Sequence, residues 1–400
     1  MNPITQVHDL KSPKQMILPV LEAHLGNLSD DLKTPFFSAK EKEFYPVTSK
    51  GTNYFLIGLG DKTAPASLQQ IARAFSYQFR KKFPSESITV SLPKVWDKKQ
   101  VHAFLLGLFL GTYQIKPENN HPFWSNEVSL FLHQQNSSLN LKKIAEEAQH
   151  IASGQFTCMD WLNKPANEKN AEKVAAFAQK LANENGFKCT VLNREKAKKE
   201  GLHAFLAVNQ GSAHDAAFII LEYIPKQKPV KKVGLIGKCV TFDTGGISIK
   251  PSQNLHYMKS DMGGATAVLG IFEAVAKLQL PVHLLGILPA TDNAVNNSSY
   301  LPSDVIGSYS GKTIEIIDTD AEGRLTLADA LSYMAKNHNP EIMIDLATLT
   351  GSAVRTFGYH CAALFTKNSL LEQQLMAAGE DTGQKSWPLP MWDEYKDHLK

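Results

Sequence analysis

Short apolar runs and segments of helical period take turns along most of the chain. Residues 53–60 (NYFLIGLG) predict a buried strand stopped by glycine, and 67–83 a helix with a cationic last turn. A strand at 87–93, a helix at 98–115, a strand at 128–134 and a long helix at 140–163 follow. Beyond them come a helix at 170–186 ending on Gly186, a short strand at 187–193 and an apolar strand at 216–224. From residue 233 the pattern is regular. Strands are predicted at VGLIG, VHLLGILPA, TIEII and EIMIDLATLTG, and helices at 262–279 and 325–337. Apolar strands alternating with amphipathic helices predict an α/β fold with a mostly parallel central sheet flanked by helices, preceded by a smaller N-terminal α/β domain. The boundaries expected are 1–140 for that first domain, 141–168 for a connecting helix and linker, and 169–400 for the second domain.

In such sheets ligands bind beyond the carboxyl ends of the strands, so polar residues there carry the functional information. Three ends stand out. After VGLIG come Lys238, Asp243 and Lys250, and the segment runs on to Asp261 before a helix. After TIEII come Asp318, Asp320, Glu322 and Arg324. After EIMIDLA comes TLTG at 348–351. Converging carboxylates repel one another unless protons, cations or metals offset the charge. Four hard oxygen donors suit two divalent ions, Zn²⁺, Mn²⁺ or Mg²⁺. A lysine beside two dications must deprotonate or turn away, and a neutral amine can ligate metal. Either Lys238 or Lys250 can take that part, leaving the other charged to steady an oxyanion. Arg324 keeps its charge and suits an anion. Singly, each residue has a plainer reading: Asp261 as a helix cap, Glu322 as a first-turn acid. Residues 291–300 (TDNAVNNSSY) read as an ordinary loop near the acids.

Composition narrows the classes. A net charge of +3 in 400 residues is too small for a strongly basic nucleic-acid binder. Four scattered cysteines without CxxC argue against a disulfide framework and for a reducing compartment. The N-terminus has no signal-like apolar region, and the longest apolar run, residues 104–111, reads as a buried helix face, so no membrane partner is expected. The thirteen histidines show no paired spacing and HExxH is absent, which disfavours an ordinary single-zinc site. GSYSGKT at 307–313 is one residue short of a P-loop between its glycines and leads into a strand, where a P-loop needs a helix. The lysine-rich run at 225–232 reads as a solvated turn.

Five blocks together resemble the leucyl (cytosol) aminopeptidases, dizinc exopeptidases: NKPAN at 163–167, GKCVTFDTGGISIKP at 237–251, MKSDMGGATAVLG at 258–270, TDAEGRLTLADAL at 319–331 and DLATLTG at 345–351. The resemblance implies a metal-dependent aminopeptidase that releases N-terminal residues, leucine-type, from peptides by a two-metal activated water. It implies that Asp243 and Glu322 bridge the ions (Zn²⁺ or Mn²⁺), that Asp320 completes the first site, and that Lys238 (as neutral amine) and Asp261 complete the second. Lys250 would polarise the scissile carbonyl, and Arg324 would hold a bicarbonate acting as general base. Met258 would line the pocket for the first side chain, and Leu349 and Gly351 would offer backbone groups to the substrate. The resemblance further implies a cytoplasmic homohexamer. The alternatives are a DNA-binding architectural member of the family and a catalytically degenerate one. Two positions depart from the family pattern: Asp318 stands where Asn is usual, and Cys239 where Gly is usual. The chain also ends short of the last helices and strand of the family, so truncation is expected.

Overall fold

A computed structural model describes residues 4–7, 13–79, 87–115 and 129–399. The cationic turn expected at 80–83 and the start of the strand expected at 128 lie outside them. The chain divides into two compact units, Met1–Ala152 with Thr350–Lys400, and Ser153–Leu349.

In the first unit the elements run β1 (Ile4–Gln6), β2 (Gln15–Val20), β3 (Phe44–Ser49), β4 (Thr52–Gly58), α1 (Pro65–Phe79), β5 (Ser87–Leu92), α2 (Lys98–Leu110) and β6 (Ser129–Gln134). Their six strands form one sheet in the order β1-β6-β5-β2-β4-β3, parallel except for β3 against β4. The apolar run at 104–111 lies within and just past α2. Phe104, Leu105, Leu106, Leu108, Phe109 and Leu110 are all buried, as the pattern predicts. Asp97 caps that helix in a reciprocal pairing with Gln100. α3 (Leu141–Asn163) runs through the division between the units.

The second unit contains α4 (Ala171–Asn185), β7 (Lys188–Asn193), α5 (Arg194–Glu200), α6 (His203–Val208), β8 (Ala217–Tyr223), β9 (Lys231–Gly237) and β10 (Cys239–Asp243). It continues with α7 (Gly263–Leu278), β11 (Val282–Asn293), β12 (Val305–Gly307), β13 (Thr313–Glu315), α8 (Glu322–His338) and β14 (Ile342–Leu346). Gly186, in the left-handed region, ends α4 as the sequence predicts. The sheet order is β14-β9-β11-β8-β7, with β10 beside β11. β14, β9, β11 and β10 pair in parallel, and β8 and β7 add an antiparallel edge. One face packs on α4 and α7 through Val174, Leu181, Leu269 and Phe272. The other packs on α6 and α8 through Phe205, Phe218, Leu327 and Met334. The remaining elements, α9 (Gly351–Phe357), β15 (Ala362–Leu364), α10 (Ser369–Thr382) and β16 (Ser386–Pro388), belong to the first unit. No helix among the described residues is long and apolar enough to cross a membrane.

Two sequence expectations need correction. The strand at TIEII is shorter than predicted and does not join the central sheet. β13 pairs with β12 in a two-stranded antiparallel ribbon. Its flanking isoleucines divide, Ile316 buried and Ile317 exposed, which a short alternating ribbon allows and a doubly covered strand does not. Residues 291–293, read as loop, are instead the last three of β11, whose twelve residues carry it past its neighbours.

The second unit positions its chemistry by close backbone approach. The Lys238 N–H donates to the Leu346 carbonyl at 2.9 Å, and the Ala265 N–H donates to the Lys238 carbonyl at 3.0 Å. Between them lies Gly264, where a methyl group would overlap the Leu346 carbonyl oxygen. Gly264→Ala is expected to cost about 1–3 kcal/mol by overpacking at a rigid backbone contact, read as a lowered urea midpoint. An unchanged midpoint would show that α7 can move away freely.

Candidate metal centre

The parallel strands deliver their carboxyl ends to one region. Lys238 follows β9, Asp243 closes β10, Asn293 closes β11, and Thr348 lies just beyond β14. A 3-10 turn at Leu255–Ser260 leads to Asp261, and a second at Thr319–Ala321 leads into α8, whose first residue is Glu322. Asp320 and Glu322 therefore sit at a helix N-terminus after a ribbon, where the amide dipoles favour negative charge.

The geometry interleaves acids and lysines. Lys238 Nζ lies 2.8 Å from Asp261 Oδ2 and 2.8 Å from Glu322 Oε1, and donates to the Thr348 carbonyl at 3.0 Å. Those three contacts use all the donors of an ammonium. Thr348 also donates through its hydroxyl to Asp261 Oδ1 at 2.7 Å. Gly323 makes room for this lysine, since a methyl there would stand 2.7 Å from Lys238 Cε. Lys250 Nζ lies 2.8 Å from Asp243 Oδ2 and also pairs with Asp320 Oδ1. Lys238, Asp243, Asp261 and Glu322 are all nearly inaccessible, whereas Lys250 and Asp320 are partly exposed.

Burial raises the pKa of Glu322 to about 7 and of Asp261 to about 6, against the opposing pull of Lys238. Burial also raises that of Asp320, with Asp243 adding to it. Lys238 shows the reverse balance. Burial alone would lower its pKa, but Asp261 and Glu322 outweigh it and hold the amine protonated. Lys250 is raised in the same way by Asp243 and Asp320, against burial.

The donor set fits divalent metal. Asp243, Asp320 and Glu322 each offer an oxygen within 4.8 Å of the others. Four carboxylates face two ammonium groups, and Glu322 Oε2 is buried with no hydrogen-bond partner among the described residues. A buried surplus of negative charge with an unused hard oxygen is what a dication relieves.

Asp318, the departure inside the acidic motif, turns to the backbone. Its Oδ1 accepts the Asp320 N–H at 2.9 Å and caps the turn at Thr319–Ala321, a contact an Asn oxygen can also make. Cys239 is fully buried, and burial pushes its thiol up to about 12, so it is inert packing. Met258 is half-buried in the turn before Asp261. Arg324 is exposed on the first turn of α8 and has no hydrogen bond or ion pair among the described residues. Leu349 is exposed at the end of this unit, and Gly351 opens α9 in the other. Sequence reasoning missed Asn293 and Tyr300, both buried against the acid-bearing turn. The signal available was the apolar run of β11 continuing directly into TDN.

Comparisons with known proteins agree on the lineage. A profile of the cytosol aminopeptidase family, catalytic domain, matches residues 156–400. A probable cytosol aminopeptidase of Chlorobium limicola is 42% identical over 308 residues, covering 74% of this chain and 61% of that protein. One of Roseiflexus castenholzii is 34% identical over 396 residues, covering 95% and 80%. Over several such relatives the chain spans between half and about three fifths of their length, 51% and 61% for two from Chlorobium. Among solved structures, the bottromycin maturation enzyme BotP in complex with Mn superposes with a TM-score of 0.85 at 28% identity, covering 97% of this chain and 84% of that one. The family profile spans both acid-bearing segments and every residue of the lysine–carboxylate cluster, and the chain belongs to the cytosol aminopeptidase family.

Proposed function

We propose that the chain is a metal-dependent aminopeptidase acting on the N-terminal residue of peptides, leucine-type, with two divalent ions. The convergence of Asp243, Asp320 and Glu322, interleaved with Lys238 and Lys250, carries this reading. Family membership supports it, as does the Mn complex of a structural relative. Asp243, Glu322 and Asp320 would hold one ion, and Asp243, Glu322, Asp261 and Lys238 the other, with Lys238 giving up the proton that the acids hold on it in the metal-free protein. Two such ions supply Lewis acidity and a water that ionises near neutral pH.

The protein's own groups divide the remaining work. Lys250, the more exposed lysine, keeps its proton and can donate to a developing oxyanion. Arg324, exposed and without an acidic partner among the described residues, is free to hold an anion such as bicarbonate. Half-buried Met258 is the side chain assigned to the first residue's surroundings, and Leu349 and Gly351 would offer backbone groups to the substrate.

Chelation should abolish release of the first residue from a panel of amino-acid amides, and Zn²⁺ or Mn²⁺ should restore it with leucine among the preferred substrates. Full activity in the chelated protein would refute a metal mechanism. Elemental analysis showing no bound metal after reconstitution would point to a degenerate member of the family.

A further inference from the structure

We propose that Asn293 is a positioning residue of the metal centre: its side-chain amide locks the Asp243 carboxylate and the turn bearing Asp320 and Glu322 into one geometry, and so sets how tightly divalent ions are held. The inference rests on the metal-site reading above.

Asn293 is completely buried. It closes β11 directly beside Asp243, which closes β10, and the pairing register shifts between Val240 and Asp243 so that the two residues stand as partners. Its Nδ2 donates twice, to Asp243 Oδ1 at 2.9 Å and to the Thr319 carbonyl at 3.0 Å. Both partners are pure acceptors, so the amide cannot be flipped without setting oxygen against oxygen. Its backbone carbonyl accepts from Thr244 twice, from the N–H at 3.0 Å and the hydroxyl at 2.7 Å, while its side-chain Oδ1 is buried with no hydrogen-bond partner among the described residues. One residue thus ties together the ends of two strands and a turn that no short stretch of chain connects.

The consequence for Asp243 is specific. Its Oδ1 accepts from both Gly245 N and Asn293 Nδ2, each at 2.9 Å. That oxygen is committed to the protein, and Oδ2 is the one left facing Lys250. The Thr319 carbonyl has a second donor, the Tyr300 hydroxyl at 2.7 Å, but Tyr300 does not reach Asp243. The Thr319 hydroxyl in turn donates to Gly245 O and accepts from Ser248 N, both at 2.8 Å, closing the link to the loop that carries Lys250. Beside the flexible Lys250 side chain, which pairs with both Asp243 and Asp320, Asn293 joins the Asp243 carboxylate to the neighbouring acid-bearing turn through one rigid planar amide. Partners of this kind orient ligands and typically change metal affinity 10–100-fold when removed.

The test compares wild type, Asn293→Leu, Asn293→Asp and Tyr300→Phe, each stripped of metal. Mn²⁺ and Zn²⁺ affinities are read by competition with a chromophoric chelator, and the visible spectrum is read after Co²⁺ loading. Both Asn293 variants should lose about 10–100-fold in affinity with an altered Co²⁺ spectrum, while Tyr300→Phe loses much less. Unchanged affinity and spectrum in a folded Asn293 variant overturn the proposal. Failure of both Asn293 variants to fold also overturns it, because the residue then serves the fold. If wild type itself binds no metal, the site reading fails and not this refinement of it.

Discussion

Asp243→Asn is expected to lower kcat/KM for an N-terminal amide by about a thousandfold or more, because Lewis-acid stabilisation is worth several kcal/mol and each ~1.4 kcal/mol is tenfold. The substitution is nearly isosteric, and the contacts at Oδ1 survive. The retained oxygen can still accept from Gly245 N and Asn293 Nδ2. The loss falls on Oδ2, replaced by an amide nitrogen that cannot bind a cation and that points its hydrogens at Lys250 Nζ, 2.8 Å away in the native protein. Asp243, like Glu322, is also shared by both proposed ion positions, so its loss should lower the bound metal for the pair. Activity and elemental metal content should fall together in a protein whose melting temperature stays close to wild type. A folded variant that keeps both its metal and its rate would remove Asp243 from the site.

The acids and lysines of the cluster were legible as candidates because several stand next to a strong local signal, while their division into ligands came only from the resemblance. Lys238 follows an apolar strand, Asp261 precedes a long amphipathic helix, and Asp320 and Glu322 open another. Periodicity marks such boundaries without any knowledge of pairing. What it cannot show is register. The alternation in TIEII fits a sheet strand as well as a ribbon, and only tertiary packing assigns β13 to β12. Asn293 failed for a related reason. Thr291, Asp292 and Asn293 are polar and begin a run rich in Asn and Ser, so composition ends the strand at Ala290. The chain nonetheless extends it, since β10 pairs there and Asp243 and Thr319 accept the Asn293 amide. The role of Asp318 is not legible in the sequence, because a further acid beside Asp320 and Glu322 suggests a further ligand, and capping depends on a side-chain direction that spacing does not determine.

Lys238→Met is expected to destabilise the metal-free protein by about 3–5 kcal/mol at pH 8, the usual cost of removing one partner from a buried ion pair. Methionine matches the length of the stem, so the change isolates the charge. It leaves Asp261 and Glu322, both nearly inaccessible, with no cation between them. The pH dependence follows from their pKa values, about 6 and about 7 in the folded protein against 3.8 and 4.5 ordinarily. Carboxyls raised on folding contribute stability that is fully present below their ordinary values and is lost as pH rises through the folded ones. Without Lys238 both rise further, because its charge was the main force lowering them. At pH 5 both proteins hold neutral acids and the deficit shrinks; between pH 5 and 8 it grows as wild type loses those protons through about 6 and 7 while the variant retains them. Taking the difference between wild type and variant, in urea titrations with chelator present, cancels the many carboxylates elsewhere whose pKa is lowered. A deficit that stays constant across that range would mean that Lys238 contributes packing and no charge balance.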